Sequence, residues 1–234
     1  MLDGLLRPRQ AVFACLGGYL YGSVPFVDRL ARRRNVDLAA SGSGNVGGAN
    51  LWAATGTAYG VLGWILDASK GLAPIAACRR LGYDEEIAAL AGVCGVAGQC
   101  WPLFLRLNGG RGISAFVGAG FLIDRRCWSL SLLPLIAGGL WRVAPLSGRR
   151  SRLTGGRLRA SRSRSVPFGC FLGIITFPLA CYARGRAVRP SLLLAALLLL
   201  RRLSAPLPDD AVHGPRVHPQ ALAFRLLFDR NTSR

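Results

Sequence analysis

Residues 87–107 read IAALAGVCGVAGQCWPLFLRL and carry a single charged side chain, that of Arg106. An α-helix rises about 1.5 Å per residue, so a stretch of this length crosses the roughly 30 Å hydrocarbon core of a bilayer. Similar apolar stretches recur on both sides of it, separated by short polar or arginine-rich segments. The sequence therefore predicts an all-α integral membrane protein with about seven transmembrane helices, at residues 10–26, 57–78, 87–107, 113–123, 127–143, 166–182 and 190–200.

The fourth and seventh predicted spans, residues 113–123 and 190–200, are short. They cross the bilayer only if it is locally thinned or if the flanking turns lengthen the helix, and re-entrant segments are the alternative. We treat residues 1–204 as one transmembrane domain, with a mobile inner loop rich in arginine and serine at about 147–165. A proline-rich cytoplasmic tail follows at 205–234.

The formal net charge of the chain is +19, which in a soluble protein favours a nucleic-acid partner. Here the basic residues lie between the apolar spans, where the positive-inside rule accounts for them, so we expect no nucleic acid. Arginines are most frequent after the first, third and fifth spans and in the tail. This distribution predicts an outside N-terminus, a cytoplasmic C-terminus and an inner face that contacts anionic lipids.

A first glycine-rich loop, SGSGNVGGAN at residues 41–50, connects the first two predicted spans. Glycines allow successive backbone N–H groups to converge on an anion, and serine and asparagine side chains add further donors. A flexible loop without a ligand is the alternative, because no Walker-type lysine follows. The candidate phosphate-binding residues are Gly42, Ser43, Gly44, Asn45, Gly47 and Asn50.

A second glycine-rich loop, NGGRG at residues 108–112, connects the third and fourth spans and therefore opens on the same inner face. Arg111 supplies a cation there, and a helix that begins near Ile113 directs its positive dipole end to the same place. A tight turn with an inside-positive arginine is the alternative. The candidate residues are Gly109, Gly110, Arg111 and Gly112.

Asp67 and Lys70 lie three residues apart inside the second predicted span and so share one helix face. An intramembrane charge favours a functional role, although a structural ion pair is the alternative. Lys70 is the single lysine among 30 basic residues, which suggests that a compact ammonium is needed here. Ser23 and Gln99, at the inner ends of the first and third spans, are further candidates.

Four motifs carry a family resemblance: GSVPF at 22–26, GSGNVGGAN at 42–50, LDASKG at 66–71 and GQCWPLFLRLNGGRG at 98–112. In order and spacing they resemble motifs of the bacterial acyl-phosphate:glycerol-3-phosphate acyltransferases. The resemblance covers roughly the first half of the chain.

The resemblance implies transfer of a fatty acyl group from acyl phosphate to the sn-1 hydroxyl of glycerol 3-phosphate, in a bacterial plasma membrane. The products would be lysophosphatidic acid and phosphate, the first step of phospholipid synthesis, without a metal or cofactor. It further implies that Ser43 and Asn45 hold the acyl phosphate and that Arg111 holds glycerol 3-phosphate, with Ser43 and Arg111 as the catalytic residues. A phosphate oxygen of a substrate would then take the hydroxyl proton.

The chain departs from the family pattern at several cations. Ala39 and Ala53 stand where the family has arginines, and Gln99 replaces a histidine. These losses leave two alternatives open: a catalytically weak or inactive relative that binds a phosphorylated lipid or its precursor, and a small transporter of an anionic solute. A transporter would favour inverted repeats in both halves, whereas the glycine loops occupy one half only.

The family's third region, a histidine- and arginine-containing motif, has no convincing counterpart after residue 190. Arg201 and Arg202 lie where that motif should begin. We predict that they supply phosphate-binding cations from the end of the seventh span.

Overall fold

The structure is a computed structural model that describes residues 2–42, 44–143, 151–204 and 219–229. Within these ranges the chain is helical, without a strand, and a short 3₁₀ helix at Leu103–Leu105 follows α5. The α-helices of the described residues are α1 (Leu2–Ser23), α2 (Phe26–Arg32), α3 (Gly48–Thr55), α4 (Thr57–Arg80), α5 (Glu85–Cys100), α6 (Ile113–Ile123), α7 (Arg125–Val143), α8 (Ser151–Ala183), α9 (Val188–Ser204) and α10 (Pro219–Phe228).

Four stretches of the described residues are long and apolar enough to cross a membrane: Arg7–Arg32, Thr57–Arg80, Glu85–Leu105 and Ser165–Ala183. They contain the first, second and sixth predicted spans and all but the last two residues of the third. The other three predicted spans coincide with α6, α7 and α9, and their crossing of the bilayer stays a prediction.

Residues 151–165, which the sequence places in a mobile inner loop, form the beginning of α8. Arginine and leucine are good helix formers, so this segment continues the apolar helix that follows it. The rest of that predicted loop, up to residue 150, lies outside the described residues.

Ion pairs join the helix termini at one end of the bundle. Arg7 at the start of α1 lies 3.2 Å from Asp84, which precedes α5, and Arg189 of α9 lies 3.4 Å from Glu86. Arg79 of α4 adds an ion pair to Glu85 at 2.7 Å. Because these termini meet at one end, the opposite ends of the same helices lie together at the other, where both glycine loops are found.

Glycines at the helix crossings bring the central helices into close contact. A Cβ atom on Gly95 of α5 would lie 2.1 Å from the carbonyl oxygen of Lys70, and one on Gly71 would lie 2.1 Å from that of Ala115 in α6. Such contacts require residues without a side chain, as is common between transmembrane helices. They place the charged face of α4 in the centre of the bundle.

Candidate functional site

The two glycine loops contact each other beside the end of α5. The N–H of Gly110 donates a hydrogen bond to the backbone oxygen of Gln99 at 3.0 Å. A Cβ on Gly110 would lie 3.2 Å from the carbonyl oxygen of Val46, in the first loop. The approach of the second loop to the first therefore depends on a glycine at position 110.

The first loop is fixed by one of its own predicted site residues. The Asn50 amide donates to the carbonyl oxygens of Leu38 at 3.0 Å and Ser41 at 2.9 Å. Gly42 and Gly44 have φ angles of +58° and +67°, which a residue with a side chain adopts at a cost. Asn50 thus holds the curved backbone of the loop, while Ser43, the other predicted catalytic residue besides Arg111, lies outside the described residues.

A buried polar network connects both loops to α4. The N–H of Gly48, the first residue of α3, donates to Oδ2 of Asp67 at 3.3 Å. Lys70 Nζ lies 3.4 Å from Oδ1 of Asp67 and donates a hydrogen bond to Oε1 of Gln99. Asp67, Lys70 and Gln99 are only 2%, 3% and 5% exposed. One ion pair therefore orients residues beside both loops.

A cavity of about 350 Å³ lies between the two loops, the start of α6 and helix α8. Its polar end is formed by loop residues, two arginines and two carboxylates, whereas its walls are largely apolar. The polar lining residues include Asn45, Gly47, Asp67, Gln99, Arg111, Gly112, Arg202 and Asp229, and the apolar ones include Trp52, Trp64, Leu135 and Val166. This shape suits a ligand with an anionic head and a hydrocarbon part.

Arg111 directs its guanidinium into this cavity. Its Nε lies 3.1 Å from Oδ2 of Asp229, directly after α10, and its Nη1 is buried without a hydrogen-bond partner among the described residues. Gly112, with a φ angle of +77°, precedes the first turn of α6. Cationic and helix N-terminal donors thus lie side by side, as the sequence predicts.

Arg201 contacts the second loop from α9. It donates to the carbonyl oxygen of Gly110 at 3.0 Å through Nε and to that of Gly109 at 2.6 Å through Nη2. The Arg201 guanidinium therefore fixes the backbone of the second loop.

Arg202 lines the cavity and is also bound to backbone oxygens. It donates to Leu226 at 2.5 Å, to Leu227 at 3.2 Å and to Pro167 at 2.5 Å. It thus connects α8 and the end of α10 to the cavity.

Of the remaining predicted residues, Ser23 donates to the carbonyl oxygen of Tyr19 at 2.8 Å within α1 and is fully buried.

Sequence reasoning missed Asp229 and the two tryptophans, Trp52 and Trp64, that line the cavity. The tryptophans lie in apolar helical segments, where they read as ordinary membrane residues. Asp229 follows a proline-rich stretch, and no local pattern signals its contact with Arg111.

Fold and site define a multi-pass α-helical membrane protein with a cationic cavity at one end. A model of the glycerol-3-phosphate acyltransferase family matches residues 12–205. A glycerol-3-phosphate acyltransferase of Rubrobacter xylanophilus is 37% identical over 145 residues, which are 61% of this chain and 68% of that protein. One of Aquifex aeolicus is 34% identical over 134 residues, 57% of this chain and 70% of that protein.

The fold is also similar to a solved structure, that of PlsY (YgiH), an integral membrane glycerol 3-phosphate acyltransferase, in its glycerol 3-phosphate form. The TM-score is 0.68 at 26% identity, and the match covers 92% of this chain and 98% of that one. The chain belongs to the glycerol-3-phosphate acyltransferase family and is an integral membrane acyltransferase. The resemblance and the fold class predicted from the sequence are thereby confirmed.

Proposed function

We propose that the protein transfers a fatty acyl group from acyl phosphate to the sn-1 hydroxyl of glycerol 3-phosphate, giving lysophosphatidic acid and inorganic phosphate. The observation that carries this proposal is the meeting of two glycine loops and Arg111 at the polar end of one cavity with apolar walls. Both proposed substrates carry a phosphate, and the donor also carries a hydrocarbon chain. The solved relative in its glycerol 3-phosphate form supports the same acceptor.

The first glycine loop is the proposed site of the acyl phosphate. Asn45 and Gly47 line the cavity beside the tryptophans of α3 and α4, so a phosphate held there places its acyl chain against an apolar wall. The Asn45 amide, the Ser43 hydroxyl and the backbone N–H of Gly42 are the proposed donors. The N–H groups of Gly44 and Gly47 are not available, because they donate to the carbonyl oxygens of Ser41 and Asn45 within the loop, both at 3.0 Å. Charge that develops on the departing phosphate would be stabilised by these fixed dipoles.

The second glycine loop is the proposed site of glycerol 3-phosphate. Arg111 lines the cavity, and its buried Nη1 has no hydrogen-bond partner among the described residues. Gly112 precedes the helix α6, whose first residues, Ile113 and Ser114, line the same cavity. A guanidinium and a helix N-terminus together favour a phosphate. Gly109 and Gly110 bring this loop close to the first one, which places acceptor and donor side by side.

We assign positioning roles to the residues behind the loops. Asp67 and Lys70 orient Gly48 and Gln99, Asn50 holds the first loop, and Arg201 holds the second. Arg202 contributes positive charge at the cavity wall. Ser23 supports the end of α1 next to the crossing with α5.

The proposed reaction forms an ester C–O bond and a phosphate O–H bond, and it breaks the C–O bond to the phosphate and the O–H bond of the acceptor. The acceptor hydroxyl oxygen attacks the carbonyl carbon of the acyl phosphate, and the bond from that carbon to the phosphate oxygen breaks. The hydroxyl proton passes to a phosphate oxygen of a substrate, and inorganic phosphate leaves. Because the donor is already activated, positioning of the two substrates supplies much of the rate.

We infer an inner location for the site, with the N-terminus outside and the C-terminus in the cytoplasm of a bacterial cell. The opposite end carries acidic residues that offset its arginines, such as Asp84, Glu85 and Glu86. The loops at the site end carry arginines with few acidic neighbours, as inner loops do. Anionic lipid headgroups are the expected neighbours of this arginine-rich face.

The proposal is tested by release of inorganic phosphate from palmitoyl phosphate by the purified protein in lipid, with and without glycerol 3-phosphate. We expect release that requires the acceptor and that falls at least about a hundredfold in Arg111→Ala. Arg106→Ala, which removes an exposed arginine of the preceding turn, is the matched control and should retain activity. Acyl-phosphate binding without acceptor-dependent release would contradict the proposal and indicate a binding protein without turnover.

A further inference from the structure

The Arg111–Asp229 contact comes from a part of the chain that the family model does not include. That model ends at residue 205, whereas Asp229 follows α10, well beyond it. Both side chains are 17% exposed, and both line the cavity. The Asp229 carboxylate therefore pairs with the Arg111 guanidinium, the group that is proposed to bind the phosphate of the acceptor.

Several contacts determine where this carboxylate lies. Arg202 donates to the carbonyl oxygens of Leu226 and Leu227 at the end of α10. The ring of Phe228 lies 5.9 Å, centroid to centroid, from that of Phe168 in α8. Helix α10 thus packs against the bundle and positions Asp229 next to Arg111. The contact is therefore part of the packed structure and not a loose ion pair on the surface.

The charges at this point argue against simultaneous binding of Asp229 and a phosphate. An anion next to another anion raises the free energy of both, most strongly where little water screens them. Arg201 and Arg202, two further arginines that interact electrostatically with Asp229, direct donors to backbone oxygens. Asp229, with Oδ2 3.1 Å from Nε, is therefore a counterion of Arg111.

We propose that Asp229 is an internal competitor of the acceptor: it occupies Arg111 in the empty site and is displaced when the phosphate of glycerol 3-phosphate binds. This rests on the proposed function and adds to it a residue that sets the affinity for the acceptor. When Asp229 is displaced, Nε and Nη1 of Arg111 are available to donate to the phosphate. The apparent affinity is then lowered by the fraction of molecules in which Asp229 holds Arg111.

The alternative role, in which Asp229 orients Arg111 for the phosphate, makes the opposite prediction. Removing the carboxylate then weakens acceptor binding, whereas removing a competitor strengthens it. We expect Asp229→Asn to lower the KM for glycerol 3-phosphate at least about fivefold. Asp229→Glu, which keeps the charge, should stay near the wild-type KM, and so should Glu86→Gln, which removes an exposed carboxylate at the opposite end. An unchanged or higher KM in Asp229→Asn would overturn the proposal.

Hydrogen exchange of the wild-type protein in lipid tests the same proposal without a variant that has to fold. Adding glycerol 3-phosphate should slow amide exchange at residues 109–112 and speed it at 219–229. Slower exchange at 109–112 with unchanged or slower exchange at 219–229 would overturn this inference and leave the proposed function standing. No change at 109–112 would overturn the acceptor site itself, and this inference with it.

Discussion

The backbone N–H of Gly48 donates a hydrogen bond to Oδ2 of Asp67 at 3.3 Å, so a buried carboxylate of α4 fixes the first residue of α3. The same carboxylate pairs with Lys70, whose ammonium donates to Gln99 beside the second loop. Two loops that are separate in sequence are therefore oriented by one ion pair. Charges inside a membrane bundle are costly, and we propose that this connection is the reason they are present here.

Replacing the ion pair should separate its structural effect from its effect on activity. Asp67→Leu leaves the Lys70 charge buried and should cost about 3–5 kcal/mol of unfolding free energy, whereas Asp67→Leu with Lys70→Met should recover most of that loss. We expect the double variant to fold and yet to lose most of its activity, because Gly48 and Gln99 lose their partners. Thermal unfolding in detergent and phosphate release measure the two effects. Full activity of the folded double variant would show that the pair only joins helices.

Helix packing predicts opposite outcomes for two glycine substitutions. Gly95→Ala places a methyl group 2.1 Å from the carbonyl oxygen of Lys70, so α4 and α5 must separate, at a cost of about 1–3 kcal/mol. Gly17→Ala is the control, since no other part of the described residues beyond its own helix backbone lies within 4 Å of its new methyl group, and it should be neutral or slightly stabilising. Unfolding temperatures of the two variants in the same detergent test this. Equal stability would argue against the close crossing.

The two hydrogen bonds of Arg201 predict that lysine cannot replace it. Arg201→Lys keeps the charge but cannot reach both Gly109 and Gly110 with the same planar fork of donors. We expect Arg201→Lys and Arg201→Ala to raise the KM for glycerol 3-phosphate by similar factors, about tenfold or more. If lysine instead preserves the KM, Arg201 acts through its charge, which would favour the phosphate-binding role predicted from the sequence. Arg186→Ala, an exposed arginine at the opposite end, is the control.

Asp124, in the turn before α7, predicts a pH dependence of stability. Its Oδ1 accepts hydrogen bonds from the N–H groups of Arg126 and Cys127, both at 3.0 Å. Burial alone raises the pKa of Asp124, but these donors and the charge of Arg184 outweigh it, so the pKa lies below its ordinary value. The stabilisation is therefore complete above about pH 4 and is lost as the pH falls through the lower, folded-state pKa.

Substitution checks this assignment. Asp124→Ala should cost about 0.5–2 kcal/mol at neutral pH, as loss of a helix cap does. Asp124→Asn should keep most of the cap and lose the acid dependence, because an amide does not titrate. Unfolding measured between pH 3 and pH 7 distinguishes the variants. A wild-type protein that gains stability on acidification through this range would contradict the assignment.

The parts of the fold and site that the sequence predicts are those encoded in contiguous residues. Apolar runs of about 20 residues gave helices α1, α4 and α5, because helix length and hydropathy are local properties. The two glycine loops, residues 41–50 and 108–112, were recognisable for the same reason. Their location at one end followed from counting spans.

Contacts between segments that are distant in the chain could not be predicted from the sequence. Phosphate binding by Arg201 stays a prediction, whereas its hydrogen bonds to backbone carbonyls were not predicted, because every residue possesses a carbonyl and no motif marks one. The composition of the tail gave no sign that α10 forms and places Asp229 on Arg111. Such pairings depend on the three-dimensional approach of helices, which residue type alone does not encode.

The central claim is tested most directly by product analysis with purified protein in lipid vesicles, palmitoyl phosphate and glycerol 3-phosphate. Mass spectrometry should detect lysophosphatidic acid acylated at sn-1, formed in equal amount to the phosphate released and lost in Arg111→Ala. Product formed only when palmitoyl phosphate is replaced by a palmitoyl thioester would contradict the proposed donor. No lysophosphatidic acid with either donor, from folded protein that still binds glycerol 3-phosphate, would contradict the proposed reaction.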